Sequence, residues 1–259
     1  PYLEKLDQES KTHASWPCFE AGSVQAAAAL IDYAMGKTLP GGNRWDQKHA
    51  NTNHVATRRF YIYATWPRAE AILEQAGDKT YANYWNANYT GDVHPCREYF
   101  DQLVTGLNQR YPELADPVRM IPAGEVLCEL DKKIRAGDLP GIETFFQRVQ
   151  PYYVKARGSK SLFNPRSFER KLGVLNLYAD GVHMNDPPHN GKDSGTIGSY
   201  VAALTIYATL TGESPVGLTV EPYEMFEAEQ DSELITALQT TVWDVVSSHP
   251  HSGIASSIR

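Results

Sequence analysis

The chain has 259 residues, of which 42% are apolar and 21% are charged, and its formal net charge is −7. A chain of this length forms one large domain or two small ones, and its composition is that of a globular protein with a sizeable core. The negative charge, without a stripe of clustered Lys and Arg, argues against nucleic-acid binding, and no apolar run approaches the roughly 18 residues of a membrane helix.

Cysteine usage and the N-terminus bear on the compartment of the protein. Cys18, Cys96 and Cys128 are an odd and sparse set that does not form a disulfide framework and matches no zinc-binding spacing. Buried or free thiols are the favoured interpretation, and one disulfide with a spare cysteine is the alternative. The N-terminus lacks the pattern of a signal peptide, but a removed leader would leave no trace, so export stays open.

Apolar periodicity in the first half of the chain predicts helices that alternate with short strands. The stretch from Arg59 to Thr65 is β-branched and aromatic and is followed by Trp66-Pro67, which is typical of a buried strand that ends there. A later aromatic-rich stretch is too polar for a core, and we expect it to be a loop. The predicted elements are a helix at 23–35, a strand at 59–65, a helix at 68–74, a loop at 80–95, a helix at 96–110 and a strand at 118–122.

The second half continues this alternation. We expect a helix at 124–136, an irregular region at 138–173 because of its prolines and glycines, a strand at 173–178, and helices at 197–210 and 232–247. Strands that alternate with helices indicate an α/β protein with a mainly parallel sheet. No internal repeat or convincing linker interrupts the chain, so the prediction is a single domain over residues 1–259.

The strongest candidate for chemistry is Asp180-Gly-Val-His183, which follows the apolar run that ends at Tyr178. A histidine general base needs a carboxylate that fixes its tautomer and stabilises the imidazolium, and a D-x-x-H turn supplies both groups from one loop. Open α/β sheets place such groups beyond the carboxyl ends of their strands. The alternative is a turn in which Asp180 and His183 cap backbone groups.

Several separated blocks resemble the SGNH (GDSL-like) hydrolase superfamily. The clearest is Asp180-Gly-Val-His183 followed by the block from Gly198 to Gly217, which is similar to a family branch that reads D-G-x-H, then G-x-Y, then Y-x-x-x-T-G-x-S-P. Two earlier stretches, 60–68 with its Thr-Trp ending and 121–141, resemble the internal strand and the later strand and helix of that branch. The blocks occur in the expected order over roughly residues 55 to 250.

This resemblance implies a flavodoxin-like three-layer α/β/α fold and a serine ester hydrolase, acting on an ester such as an O-acyl group on a carbohydrate. It implies that His183 is the catalytic base and that Asp180 orients it. It also favours a periplasmic or extracellular location.

The serine of that family lies in an N-terminal Gly-Asp-Ser or Gly-Asn-Ser block, and neither tripeptide precedes Asp180. Leu6-Asp-Gln-Glu9-Ser10 resembles a V-L-Q-E-x-S segment that follows the first family blocks. We therefore expect a sheet that is incomplete at the N-terminus, with the nucleophile supplied by residues outside this chain, either a missing segment or a second chain. A diverged N-terminal half and a non-catalytic binding or structural subunit are the alternatives.

Candidate substrate-binding residues are Gln8, Ser10, Trp66, Tyr84 and Trp85, for which loop polarity, packing at a helix start or an ordered aromatic loop are the competing interpretations. No phosphate-binding glycine loop or dinucleotide fingerprint is present, so we expect no cofactor. His183, Asp186, His189 and Asp193 have a spacing that could ligate a divalent ion, but the Pro187-Pro188 pair among them gives no recognisable geometry, and we expect no metal. The predicted partner is a small-molecule or carbohydrate ester, without nucleic acid or a membrane span.

Overall fold

The computed structural model describes residues 21–36, 59–74, 77–89, 95–156, 168–178, 184, 197–221, 223 and 225–254. These residues are mostly helical, with a small two-stranded parallel sheet. Within these ranges no helix combines the length and the apolarity that crossing a bilayer requires. The elements are α1 (Ala21–Ala34), β1 (Tyr61–Tyr63), α2 (Ala69–Glu74), α3 (Tyr81–Trp85), α4 (Arg97–Arg110), β2 (Arg119–Ile121), α5 (Ala123–Ala136), α6 (Ile142–Ala156), a 3₁₀ segment (Arg170–Leu177), α7 (Ile197–Thr211) and α8 (Ser232–Ser248).

The two strands pair through backbone hydrogen bonds at both ends. Arg119 N donates to Phe60 O at 2.9 Å, and Ala64 N donates to Ile121 O at 3.0 Å. Gly124 N then donates to Ala64 O at 2.8 Å, so the first turn of α5 is joined to the residue that follows β1. A parallel pair needs a crossover connection, and α2, α3 and α4 lie in the connection between these strands.

The chain divides into two compact units, which are residues 1–62 with 88–120 and residues 63–87 with 121–259. In the first unit α1 packs against α4, because each helix presents apolar residues at helical spacing. Tyr111, which follows α4, donates its hydroxyl proton to Ala28 O at 2.9 Å and so joins the two helices. The buried core of this unit consists of Ala28, Ile31, Leu103, Leu107, Tyr111 and Val118.

The second unit is built around α5, which packs against α3, the 3₁₀ segment, α7 and α8. Such a helix must be buried on more than one side, and eight of its 14 residues are buried. Trp85 of α3 is 1% exposed, stacks on Tyr81 and donates its indole proton to Glu125 Oε2 at 2.7 Å. Tyr81 in turn donates to Gly124 O at 3.0 Å, so the aromatic helix is fastened to the start of α5.

The structure confirms the predicted helices near 23–35, 68–74, 96–110, 124–136, 197–210 and 232–247, and strands occur within the predicted strands at 59–65 and 118–122. Cys96 and Cys128 are buried and form no disulfide within the described part of the chain, and Cys18 lies outside it. The prediction of a single domain stays a prediction.

Three predictions are wrong. The aromatic stretch is not a loop throughout, because Tyr81–Trp85 forms a helix whose rings are core residues. Residues 138–173 are not irregular throughout, because Ile142–Ala156 is a helix with buried Ile142, Phe145, Phe146 and Val149 at helical spacing. Residues 173–178 do not form a strand, because Arg170–Leu177 winds as a 3₁₀ segment with a kink at Gly173.

Gly124 tests the packing of Trp85 on α5. An alanine Cβ at position 124 would lie 2.2 Å from Trp85 Cη2, so the ring must move. We expect Gly124→Ala to lower the free energy of unfolding by about 3 kcal/mol, at the upper end of overpacking effects. Gly212→Ala is the matched control, since φ at Gly212 is +74° with no atom within 4 Å of the added Cβ, and backbone strain alone should cost about 1 kcal/mol. Urea unfolding measures both, and an equal loss in the two variants would contradict this packing.

Candidate functional site

Asp180 and His183 lie outside the described residues, as do Gln8, Ser10 and the residues of the alternative metal site, Asp186, His189 and Asp193. The structure does describe the residues that hold both ends of the Asp180–His183 segment. These are the 3₁₀ segment that ends at Leu177, Tyr178, Met184 and the start of α7. The described contacts of the candidate site are therefore those of the residues on either side of this segment, which we call its supports.

The 3₁₀ segment depends on a glycine at position 173. Gly173 has φ +54° and ψ −132°, a backbone conformation that other residues rarely adopt. A Cβ there would lie 1.9 Å from Asp131 Oδ1 and 2.7 Å from Arg135 Nε. Glycine thus satisfies two requirements at once, a positive φ and a close approach to a buried ion pair.

Asp131 of α5 is the acceptor that holds this segment. Its carboxylate is fully buried, and Oδ1 accepts a hydrogen bond from Val174 N at 2.9 Å. Oδ2 accepts from Arg135 Nε at 2.9 Å and from Ala82 N, in the first turn of α3, at 3.3 Å. A buried carboxylate is stable only when charge and hydrogen bonds compensate its lost hydration, and here one cation and two backbone amides do so.

Asn176 and Arg135 complete the support of the same segment. Asn176 Nδ2 donates to Glu169 O at 2.9 Å and to Gly173 O at 2.7 Å, while its Oδ1 accepts from Glu169 N at 3.1 Å. Arg135 Nη1 donates to Lys171 O. Three carbonyls at the start of the 3₁₀ segment, those of Glu169, Lys171 and Gly173, therefore accept hydrogen bonds from side chains, and its conformation is specified by contacts as well as by propensity.

Tyr178 connects the end of this segment to the residues that follow β1. Its ring is fully buried, and its hydroxyl donates to Pro67 O at 2.7 Å. Burial, and then the negative charge of nearby Asp131, raise the pKa of Tyr178 well above its usual value. The bond brings the Thr-Trp-Pro block and the residue two positions before Asp180 together, although the two are distant in sequence.

Met184 holds the other end of the segment. It is buried against Gly198 in the first turn of α7, where an added Cβ would lie 2.6 Å from Met184 Cβ and 2.8 Å from its Sδ. Only a glycine at position 198 allows this approach. The residue that follows His183 is therefore fixed on α7, and Tyr178 is fixed at Pro67.

The three described candidates for substrate binding differ in their exposure. Trp66 is half-buried and meets Tyr63 edge-to-face with ring centroids 6.3 Å apart. Tyr84 and Trp85 are buried in the core of the second unit, so their described contacts support packing. Trp66 is the one of these three that is half-buried, and it directly precedes Pro67, which accepts the hydrogen bond from Tyr178.

An open groove of about 530 Å³ lies elsewhere in the second unit, between Lys133 and Pro140 on one side and Ser232, Glu233, Thr236 and Thr240 of α8 on the other. Lys133 Nζ, at its edge, donates to Thr241 Oγ1 at 2.8 Å. Of the predicted site residues that the structure describes, Trp66, Tyr84 and Trp85, none lines this groove. Among the described residues no group of three or more His, Cys, Asp or Glu is placed to hold a metal ion.

Sequence reasoning missed Asp131, Asn176 and the hydroxyl of Tyr178 as supports of the site. The position of Asp131 could have indicated this role, because it falls on the apolar face of α5 between Leu127 and Ile134. A charged side chain is rarely buried on such a face unless it is paired. No such indication exists for Tyr178, because nothing local marks Pro67 as its acceptor.

Comparisons of the chain with protein-family models, with curated proteins and with solved structures found no match. The assignment of a function therefore depends on the sequence blocks and on the contacts described above.

Asp131→Asn tests the central support. The amide keeps the size of the side chain but removes the charge that pairs with Arg135, and its NH₂ group faces a donor in either orientation, Val174 N at one position or Arg135 Nε and Ala82 N at the other. We expect a loss of about 3 kcal/mol in the free energy of unfolding. Glu129→Gln is the matched control on the same helix, since the exposed Glu129–Lys132 pair at 2.9 Å should contribute less than about 1 kcal/mol. Denaturant unfolding that shows equal effects would refute the role of Asp131.

Alkaline pH tests the burial of Tyr178 and Tyr81, whose pKa values are both raised, first of all by burial. The folded state keeps these protons above pH 10.0, the ordinary tyrosine pKa, where the unfolded chain releases them. Their contribution to stability is therefore complete below that pH and is lost as the pH rises above it, by at most about 1.4 kcal/mol per pH unit for each group. Tyr178→Phe should show a shallower fall of the unfolding free energy between about pH 10 and pH 11 than the unsubstituted chain, and an unchanged slope would count against burial.

Proposed function

We propose that this chain supplies the acid and base half of an SGNH-like serine ester hydrolase, with a carbohydrate O-acyl ester as the substrate class. His183 accepts the proton of a serine as its oxygen attacks the ester carbonyl, and then returns it to the leaving alcohol. Asp180 accepts the other imidazole N–H and stabilises the imidazolium. Water releases the acyl group in a second round of the same proton transfers.

The observation that carries this proposal is the hydrogen bond from Tyr178 to Pro67 O at 2.7 Å. It supports the idea that two separated sequence blocks, the Thr-Trp-Pro block after β1 and the block that enters Asp180, belong to one site. A position beyond the carboxyl end of a parallel strand is where α/β proteins assemble their catalytic loops. Trp66 then lies where a half-buried ring could stack on a sugar or an acyl group.

The finer fold is part of the same proposal. We infer that β1 and β2 belong to a larger, mainly parallel sheet of a three-layer α/β/α domain of the flavodoxin-like kind. A two-stranded parallel sheet is too small to be stable by itself, and parallel sheets are normally covered on both faces. The helices that connect β1 to β2 and the helix α5 that follows β2 agree with that arrangement.

The proposal also requires a serine nucleophile, whose position is a separate part of it. No Gly-Asp-Ser or Gly-Asn-Ser precedes Asp180 in the sequence, so we propose that the serine comes from residues outside it. The same observation favours a second candidate function, in which the chain is a non-catalytic binding or structural subunit. A serine hydroxyl within about 3.2 Å of a His183 ring nitrogen would distinguish the two.

The isolated chain should hydrolyse 4-nitrophenyl acetate at a rate close to that of buffer, because a triad without its serine retains only residual catalysis. In a preparation completed by the nucleophile, His183→Ala should lower kcat by about 10²- to 10⁴-fold with little change in KM. His251→Ala, at a half-buried histidine of the C-terminal turn, is the matched control.

A serine-directed fluorophosphonate shows where the nucleophile lies. Labelling of the isolated chain that disappears in His183→Ala would place the serine within these 259 residues and would overturn that part of the proposal. A structure in which the sheet is complete and no serine approaches His183 would leave the non-catalytic function.

A further inference from the structure

The groove between α5 and α8 brings opposite charges and hydroxyl groups together in one cavity. Its lining includes one cation, Lys133, one carboxylate, Glu233, and three hydroxyl groups, those of Ser232, Thr236 and Thr240. Its volume of about 530 Å³ lies in the range of small-molecule sites. We call this cavity the α8 groove.

Contacts between α8 and the elements opposite it fix both ends of the α8 groove. At one end Lys133 Nζ donates to Thr241 Oγ1 at 2.8 Å. At the other end the backbone of Gly141 approaches α8, so that an added Cβ would lie 3.4 Å from Leu234 Cβ. Because these contacts already hold the two sides of the groove, a ligand would bind there at a low cost in conformational entropy.

The two charges lie toward opposite ends of the groove. Lys133 Nζ is beside Thr241, and Glu233 is in the first turn of α8, eight residues before Thr241. Eight residues correspond to about 12 Å along a helix axis. Helical side chains lean toward the N-terminus of the helix, so the carboxylate of Glu233 points away from the Lys133 end. The ammonium and the carboxylate are therefore separated by roughly the length of the groove.

Both charged groups have hydrogen-bonding capacity that the described contacts leave unused. An ammonium group has three protons, and within the described part of the chain that of Lys133 donates one, to Thr241. Glu233 is exposed, and its carboxylate forms no ion pair or hydrogen bond with the residues that the structure describes. The groove thus offers donors at one end and acceptors at the other.

The chemistry of the lining residues selects the class of ligand. A simple anion would be repelled by Glu233 and a simple cation by Lys133, since both charges line the same groove. None of the lining residues is aromatic or a large aliphatic, which disfavours aromatic rings and acyl chains. A molecule with opposite charges at its two ends is complementary to both ends of the groove.

We propose that the α8 groove binds a short free peptide in an extended conformation, with its C-terminal carboxylate at Lys133 and its N-terminal ammonium at Glu233. An extended chain spans about 3.3 to 3.6 Å per residue, so about three to four residues cover the separation of the two charges. The hydroxyl oxygens of Ser232, Thr236 and Thr240 accept hydrogen bonds from its backbone N–H groups. The proposal does not depend on the ester hydrolase function.

Tetra-alanine tests the proposal with the full chain, since its side chains are too small to add large contacts of their own. Titration should move amide signals in ¹H–¹⁵N NMR spectra saturably, with the largest shifts at Thr236, Ala237 and Thr240. An N-acetyl group or a C-terminal amide removes one charge of the peptide, and each should weaken binding about fivefold, as expected for an exposed ion pair. Free alanine should also bind more weakly, because its two charges are too close together to reach both ends.

Two variants show which end of the peptide each charged residue holds. Glu233→Gln should bind tetra-alanine and its N-acetyl form equally, because the peptide ammonium has lost its partner, and should still bind the C-terminal amide more weakly. Lys133→Gln should show the reverse preference. Lys132→Gln and Glu229→Gln remove exposed charges outside the lining residues and should leave both preferences unchanged. Each preference is measured within one variant, so a small change in stability does not alter it.

Three results would overturn the proposal. The first is the absence of shifts at the lining residues of α8 with tetra-alanine at tens of millimolar. The second is equal affinity of the unsubstituted chain for tetra-alanine and for both blocked peptides. The third is a loss of preference in Lys132→Gln or Glu229→Gln as large as that in Lys133→Gln or Glu233→Gln.

Discussion

The buried carboxylate of Asp131 is the interaction on which the second unit depends. It joins the first turn of α3, Arg135 of its own helix and Val174 of the 3₁₀ segment, which are separate stretches of the chain. Because a buried charge is stable only with all of its partners in place, these stretches must form together. The chain that enters Asp180 is therefore specified by an acid in a different helix.

The helices were predictable from the sequence because each carries its own periodic apolar face. Residues 142–156 are harder to predict because a proline such as Pro151 normally breaks a helix, although buried Phe145, Phe146 and Val149 follow helical spacing. The apolar residues after Gly173 suggest a strand, whereas the contacts of Asp131, Asn176 and Arg135 with this segment specify a 3₁₀ conformation. Local propensity was outweighed there by a contact between residues distant in sequence.

The candidate site was predictable only as far as its chemistry is local. Asp180 and His183 form one short motif, and an acid beside a histidine has a chemical meaning that can be recognised without a fold. The residues that hold the two ends of this motif cannot be recognised in the same way. Tyr178 bonds to Pro67 and Met184 packs on Gly198, and no periodicity or spacing connects such pairs in advance.

The close contacts of Gly124 with Trp85 and of Gly198 with Met184 have a consequence for the evolution of this chain. In each pair the glycine leaves the space that the larger side chain occupies, so a bulkier residue at one position requires a smaller one at the other. Relatives of this protein should therefore substitute these positions in pairs. Such covariation would trace common ancestry between chains whose short motifs have already drifted apart.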